Sequence, residues 1–306
     1  MINLPTLKQL RYLVALRDHG HFGRAAAAVY VTQSTLSAAI AELEAVLGAA
    51  LVDRTRRRVL FTPVGEAVVA DARPILLAVT ELARAAAASG APLSGPLRMG
   101  VIPTISPFLL PRALPALRDR FAKLKLYLRE ELSARLIAQL HRGDLDIVLL
   151  ALPYDCGNVE SMTLFQDRFS LVCRADDPLG DASRVTPETL SPDSLLLLED
   201  GHCLRDHALS ACARVPRAHR APVEATSLFT LVQMVDNGLG VTLLPQLALN
   251  AGILKGTALT AIPFAGDHPY REIGLVWRSG DRRREEFRTL GYALAELAPK
   301  TPDATS

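Results

Sequence analysis

The sequence predicts a helical N-terminal unit followed by a larger α/β domain. Three observations predict it. Apolar residues recur at helical spacing through the first 60 residues, which end on a short basic hairpin. The segment 89–96, Ser-Gly-Ala-Pro-Leu-Ser-Gly-Pro, is dense in chain breakers. Beyond it, β-prone runs alternate with helical ones. The chain of 306 residues, 49% apolar and 22% charged, can bury more than one core and is too apolar to be disordered. No run of about 18 uncharged apolar residues occurs, and the N-terminus lacks a basic-then-apolar signal pattern. A soluble, cytoplasmic protein with no membrane partner is therefore expected. In that compartment the four cysteines do not read as a structural framework, and any disulfide is expected to be transient or regulatory.

Taken in order, Thr6-Leu7-Lys8-Gln9 matches a capping box, in which hydroxyl and amide satisfy the free amides of a starting helix. Leu7, Leu10 and Val14 continue it at helical spacing, and Gly20 is placed to end it. A short second helix runs through Arg24-Ala25-Ala26-Ala27-Ala28 and breaks at Val31-Thr32. Thr32 can cap a third helix, whose Leu36, Ile40, Leu43 and Leu47 form one stripe closed by Gly48. Residues 51–62 hold two short β-prone runs around a tip carrying Arg54, Arg56, Arg57 and Arg58, which reads as a hairpin or wing. From Pro63 a long helix is expected to about Ala88, with Val68, Leu76, Val79, Leu82 and Ala86 suited to a partner helix. Pro74 inside it would cost roughly 3 kcal/mol unless the helix kinks there. In the second domain, strands are expected at 97–102, 125–130, 145–151, 169–174, 195–198, 241–244 and 273–277. Helices are expected at 106–121, 133–142 and 227–237, an alternation that predicts mainly parallel strands.

The formal net charge is only +2, so charge alone does not announce a nucleic-acid partner. Its distribution says more: residues 1–90 hold ten basic and seven acidic side chains. Two short helices joined by a tight turn suit a major-groove reader. Thr32, Gln33, Ser34, Thr35 and Ser37 sit at the start of the second of these, where side chains and amides can meet phosphates and base edges. The four-arginine tip suits phosphate or narrow minor-groove contacts, although charge runs are more often solvated faces.

A second constellation is Glu199-Asp200-Gly201-His202-Cys203-Leu204-Arg205-Asp206, with Cys212 nine residues after Cys203. A reactive thiol needs positive surroundings and access. Cys203 follows Gly201 at a place where a helix can begin, and His202 and Arg205 can add hydrogen bonds or positive charge. For a single cysteine the plainer reading is a small buried hydrophobe, which fits Cys173 in its apolar strand and Cys156 in its loop. A zinc or copper site from His202, Cys203, His207 and Cys212 lacks the usual Cys-x-x-Cys spacing, so no metal and no cofactor is expected.

The run Phe22-Gly23-Arg24-Ala25-Ala26, Val31-Thr32-Gln33-Ser34-Thr35-Leu36-Ser37, Leu43-Glu44-Ala45-Val46-Leu47-Gly48, Leu51-Val52-Asp53-Arg54-Thr55 and Phe61-Thr62-Pro63-Val64-Gly65 resembles the LysR-type transcriptional regulators. Ala38 and Ala39 depart from it, where such proteins often carry longer polar side chains. Ser94-Gly95-Pro96-Leu97, Ile102-Pro103-Thr104, Leu109-Leu110-Pro111, the stretch Leu198 to Asp206, Ala225-Thr226-Ser227-Leu228 and Leu243-Leu244-Pro245 resemble the hydrogen peroxide-sensing OxyR branch. The resemblance implies a winged helix-turn-helix DNA-binding domain over 1–62 and a linker and dimerisation helix over 63–90. It further implies a redox-sensing α/β domain over 91–306, built like a periplasmic binding protein from two subdomains. These would span about 95–165 with 270–299, and about 166–269.

In function, the resemblance implies a transcriptional regulator that is not an enzyme, with Cys203 as the peroxide-reactive thiol and Cys212 as its disulfide partner. It places Thr104, Ser133 and Arg278 in the peroxide pocket beside His202 and Arg205, with Ser133 in place of a usual threonine. Thr104 also reads as a turn residue after Pro103, and Ser133 as a helix N-cap. The partners implied are promoter DNA, RNA polymerase, further copies of the chain as a dimer of dimers, peroxide as the signal, and a thiol reductant. If 203–212 were one helix, its ends would lie about 13.5 Å apart, while a disulfide needs Cα atoms at roughly 5.5–6 Å, so closing the bond requires rearrangement. Two other readings compete: a LysR-type regulator that binds a small metabolite and carries incidental cysteines, and a thiol peroxidase.

Overall fold

The computed structural model describes residues 4–54, 59–87, 92–211, 225–266 and 269–298. The chain forms two compact units, meeting in sequence between Ala88 and Ser89.

The first unit opens on α1 (Leu7–His19), where both capping-box bonds of Thr6 and Gln9 are present and Gly20 closes the helix in the left-handed conformation. Helix α2 (Phe22–Ala28) and helix α3 (Gln33–Leu47) follow, the latter capped by the Thr32 hydroxyl and ended by Gly48 at φ 65°. Leu13, Leu16, Leu36, Ile40 and Leu43 have no exposed surface and form the core between α1 and α3. Strands β1 (Val52–Arg54) and β2 (Val59–Phe61) pair antiparallel as the wing. The wing is fastened to α3 by the Glu44 carboxylate, which accepts from the Leu51 and Val52 amides at 2.8 and 3.1 Å. Helix α4 (Pro63–Ala87) runs for 25 residues, and it continues through Pro74. Gly65, in its first turn, lies against the Leu51 backbone carbonyl, so closely that a Cβ would collide with it.

The second unit is a mixed sheet with helices packed on it, a two-subdomain α/β effector domain. Its elements are β3 (Gly95–Val101), α5 (Ser106–Arg120), β4 (Leu124–Glu130), α6 (Ser133–Arg142), β5 (Ile147–Leu152) and β6 (Val159–Arg174). Then come α7 (Cys203–Ala211), α8 (Leu228–Asp236), β7 (Thr242–Pro245), α9 (Gln246–Asn250), β8 (Leu259–Pro263), β9 (Tyr270–Arg278) and α10 (Arg284–Ala295). The strand order is β4-β3-β5-β9-β6-β7, with β8 also on β6. Strand β6 serves both halves. Its residues 159–168 pair with β9, and its residues from Phe169 onward pair with β7 and β8.

The expectation of mainly parallel strands is corrected. Only β3 pairs parallel, with β4 and β5, whereas β9 lies antiparallel to both β5 and β6, and β7 and β8 lie antiparallel to β6. The chain returns late to insert β9 between two strands already laid down, and that connection sets the antiparallel sense. Residues 195–198 form isolated bridges to Val241 and Ala225 rather than a strand. Among the described residues no helix is long and apolar enough to cross a membrane.

Candidate functional site

In the second unit, Ile102, Pro103, Thr104, Leu132, Ser133, Gly201, His202 and Cys203 line a small recess. It is closed in this conformation, with essentially no volume for a molecule the size of water, so a guest enters only as the lining parts. Two helices start there. Ser133 is the first residue of α6 and Cys203 the first of α7, so the free amides and positive dipole ends of both border the space. Gly201, at φ 99°, makes the turn into α7 in a conformation that L side chains rarely adopt.

Cys203 is buried, at 4% exposure, as are Ile102, Thr104, Ser133 and His202. Burial pushes the His202 imidazole down from its ordinary value against the opposing pull of Glu199, so the ring is neutral at neutral pH. The Thr104 hydroxyl accepts from Arg271 Nη1 at 2.8 Å, and the Thr104 carbonyl accepts from Nη2 at 3.0 Å. Arginine only donates, so the hydroxyl's own proton is left to donate elsewhere. Arg271 is in turn held by Asp167, whose carboxylate accepts from its Nε at 3.0 Å and from the Leu247 amide at 2.9 Å. The Ser133 hydroxyl is buried and has no hydrogen-bond partner among the described residues. A buried unpaired hydroxyl costs about 1–3 kcal/mol, which a small polar guest in the recess would relieve.

The reading of Ser133 as a helix cap is corrected, because Leu132 holds the cap position and makes no side-chain cap bond. Arg278 is also corrected. Its Nη1 donates to the Leu140 and Leu145 carbonyls at 3.0 and 2.7 Å, and its Nη2 pairs with Asp281 at 2.9 Å. That places it at the C-terminal end of α6, whereas Ser133 begins that helix about 10 Å away along its axis. Arg205 is likewise not on the recess wall: it donates to the Leu198 carbonyl at 3.1 Å and pairs with Asp200 at 3.1 Å. The residues missed from sequence are Arg271 and Asp167. Arg271 lies just before the strand expected at 273–277, beside the equally charged Glu272, so the sequence gives it no distinguishing signal.

Cys156 and Cys173 are buried, and burial pushes both thiols up to about 11, with Asp155 and Asp177 adding to it. Both therefore stay protonated at neutral pH. Cys212 lies outside the described residues.

In the first unit, Thr32, Gln33, Ser34 and Thr35 are exposed at the start of α3, and Ser37 is partly buried. The Thr32 hydroxyl accepts from the Thr35 amide at 3.2 Å and lies 2.9 and 2.8 Å from the Ser34 and Thr35 hydroxyls. Arg54 ends β1, while Arg56, Arg57 and Arg58 lie outside the described residues.

A winged helix-turn-helix joined through a long helix to a two-subdomain α/β domain defines a bacterial DNA-binding regulator with an effector-responsive half. The chain matches two families, the lysR family of bacterial regulatory helix-turn-helix proteins over residues 7–66 and the LysR substrate binding domain over residues 90–298. It belongs to the LysR family. Its curated relatives include the HTH-type transcriptional regulator EstR of Acinetobacter baylyi, 41% identical over 94% of this chain and 95% of that protein. Another is the DNA-binding transcriptional dual regulator OxyR of Escherichia coli, 41% identical over 94% of each chain. Among solved structures, a full-length cysteine-to-aspartate OxyR variant from Pseudomonas aeruginosa superposes with a TM-score of 0.78, 35% identical, covering 97% of this chain and 98% of that one. A peroxide-bound cysteine-to-serine OxyR variant from Corynebacterium glutamicum gives 0.66 at 33% identity, covering 97% and 94%.

Proposed function

We propose that this chain is a hydrogen peroxide-sensing transcriptional regulator, switched by a disulfide between Cys203 and Cys212. The observation that carries it is the recess: a cysteine at a helix start, beside one hydroxyl with a directed proton and another with no partner. Peroxide is small and needs both a donor and an acceptor, which these hydroxyls offer. The Cys203 thiolate attacks one peroxide oxygen and the O–O bond breaks, giving the sulfenic acid and hydroxide, which takes up a proton to leave as water. The Cys212 thiol then displaces the sulfenic oxygen as water, closing the S–S bond. A thiol reductant resets it.

The geometry of α7 supplies the switch. Its helical span places the Cα atoms of Cys203 and Ala211 about 12 Å apart. Position 212 is one Cα step of about 3.8 Å beyond Ala211, so an intact α7 holds it at least about 8 Å from Cys203. Disulfides need less than about 7 Å, so α7 must come apart before the bond closes. We read the exposed start of α3 and the wing arginines as the promoter-DNA contacts. The exposed Ile75, Val79 and Leu82 of α4, at helical spacing, are the face for a second copy, within a dimer of dimers that engages RNA polymerase. The domain division at 62, 90 and 166–269 belongs to the same reading.

Thiol mapping by mass spectrometry after a brief peroxide pulse tests it. The expected result is Cys203 linked to Cys212, with Cys156 and Cys173 free. The relation to EstR, equal in identity to that with OxyR, favours testing a metabolite-responsive regulator beside it. A Cys203→Ser chain that still answers peroxide in a reporter assay would decide for that second reading.

A further inference from the structure

We propose that His207 is a positioning residue for the second half of this reaction: its ring staples the first turn of α7 to the end of β5, and the staple tightens when the ring takes up a second proton. The proposal rests on the disulfide reading above. His207 Nδ1 lies 2.7 Å from the Cys203 carbonyl, one helical turn back. The ring also faces the Leu152 backbone carbonyl, at the end of β5. Carbonyls only accept, and a neutral imidazole has one N–H. The neutral ring therefore satisfies one of the two carbonyls, and the imidazolium satisfies both.

Burial sets the resting state, pushing His207 down from its ordinary value. The backbone carbonyls of Cys203 and Leu152 and the Asp206 carboxylate on α7 oppose this, while Arg271 on β9 adds to it. The ring is thus neutral at neutral pH and gains its second bond only in acid. The carbonyl it grips belongs to Cys203 itself, in the turn that must be released for Cys212 to reach the sulfur. Forming the sulfenic acid involves one sulfur only, so it does not require α7 to come apart. Protonation of His207 should accordingly slow disulfide closure without affecting the first oxidation through the same staple.

The test uses the full-length reduced chain, pulsed with peroxide and quenched at intervals with a sulfenic acid-trapping dione and a thiol-alkylating reagent. Mass spectrometry then reads conversion of the Cys203 sulfenic acid to disulfide between about pH 5.5 and pH 8, across the histidine range. The chains compared are wild type, His207→Gln, whose amide N–H donors do not change with pH, and His207→Leu, which keeps none. Expected is a closure rate that falls several-fold further in wild type than in His207→Gln as the pH drops. His207→Leu should close fastest in acid. The Gln comparison stands alone if the Leu chain fails to fold. One shared pH profile for wild type and His207→Gln overturns the staple while leaving the peroxide-sensing reading intact. Absence of the disulfide from every chain, wild type included, overturns both.

Discussion

At the scale of single residues, the recess depends on a charge that never reaches water. Arg271 and Asp167 are both fully buried as a pair, and together they tether β9, β6 and the start of α9 to Thr104. Removing one member of such a pair leaves the other charge uncompensated, at about 3–5 kcal/mol. Arg271→Met should therefore lower the free energy of unfolding by that much, read as a lower urea midpoint, and also slow Cys203 oxidation, because the Thr104 hydroxyl loses its donor. A full-strength midpoint would show that the pair is dispensable. The same residue shows where sequence reading stopped. Arg271 and Arg278 both lie on β9, and only one serves the recess. Residues seven apart on a strand face opposite sides and sit about 23 Å apart, so choosing the wrong one misses in both direction and distance. Nothing in the local sequence separates them; the partners Thr104 and Asp167 are more than 100 residues away. Cys203 and His202 were legible from turn chemistry and chain order, whereas Thr104 and Ser133 came from the family resemblance alone.

At the scale of elements, capping residues made the first unit readable. Thr6, Gly20, Thr32 and Gly48 each do locally what their side chains, or the lack of one, dictate. Strand β8 and the first half of β6 were not readable. The stretch 159–168 is largely polar and half-exposed, so it carries no apolar signal, and it becomes a strand because β9 supplies its hydrogen bonds. The tightest joint is that of Gly65 with the Leu51 carbonyl. Backbone cannot swing aside as a side-chain tip can, so Gly65→Ala must push the wing from α4. The expected result is a lowered melting temperature for the N-terminal transition and weaker DNA binding, read by calorimetry and by titration. Unchanged values would mean that the wing shifts freely.

At the scale of the whole molecule, a net charge of only +2 means that DNA affinity must come from a local concentration of cations. Arg56→Ala and Arg57→Ala together should weaken binding to all sequences alike and flatten the dependence of log Kd on log salt by nearly two. An unchanged slope, measured over a salt series, would remove the wing arginines from the phosphate contacts.

The late arrival of β9 also governs how this chain can be made. It pairs with β5 and β6 across separations of more than 100 residues and lies between them in the sheet. Until residues 270–278 leave the ribosome, the apolar β5 and the first half of β6 each present a strand edge without its partner. The middle of the sheet is synthesised almost last, so any chain stopped short of Arg278 is expected to aggregate rather than fold.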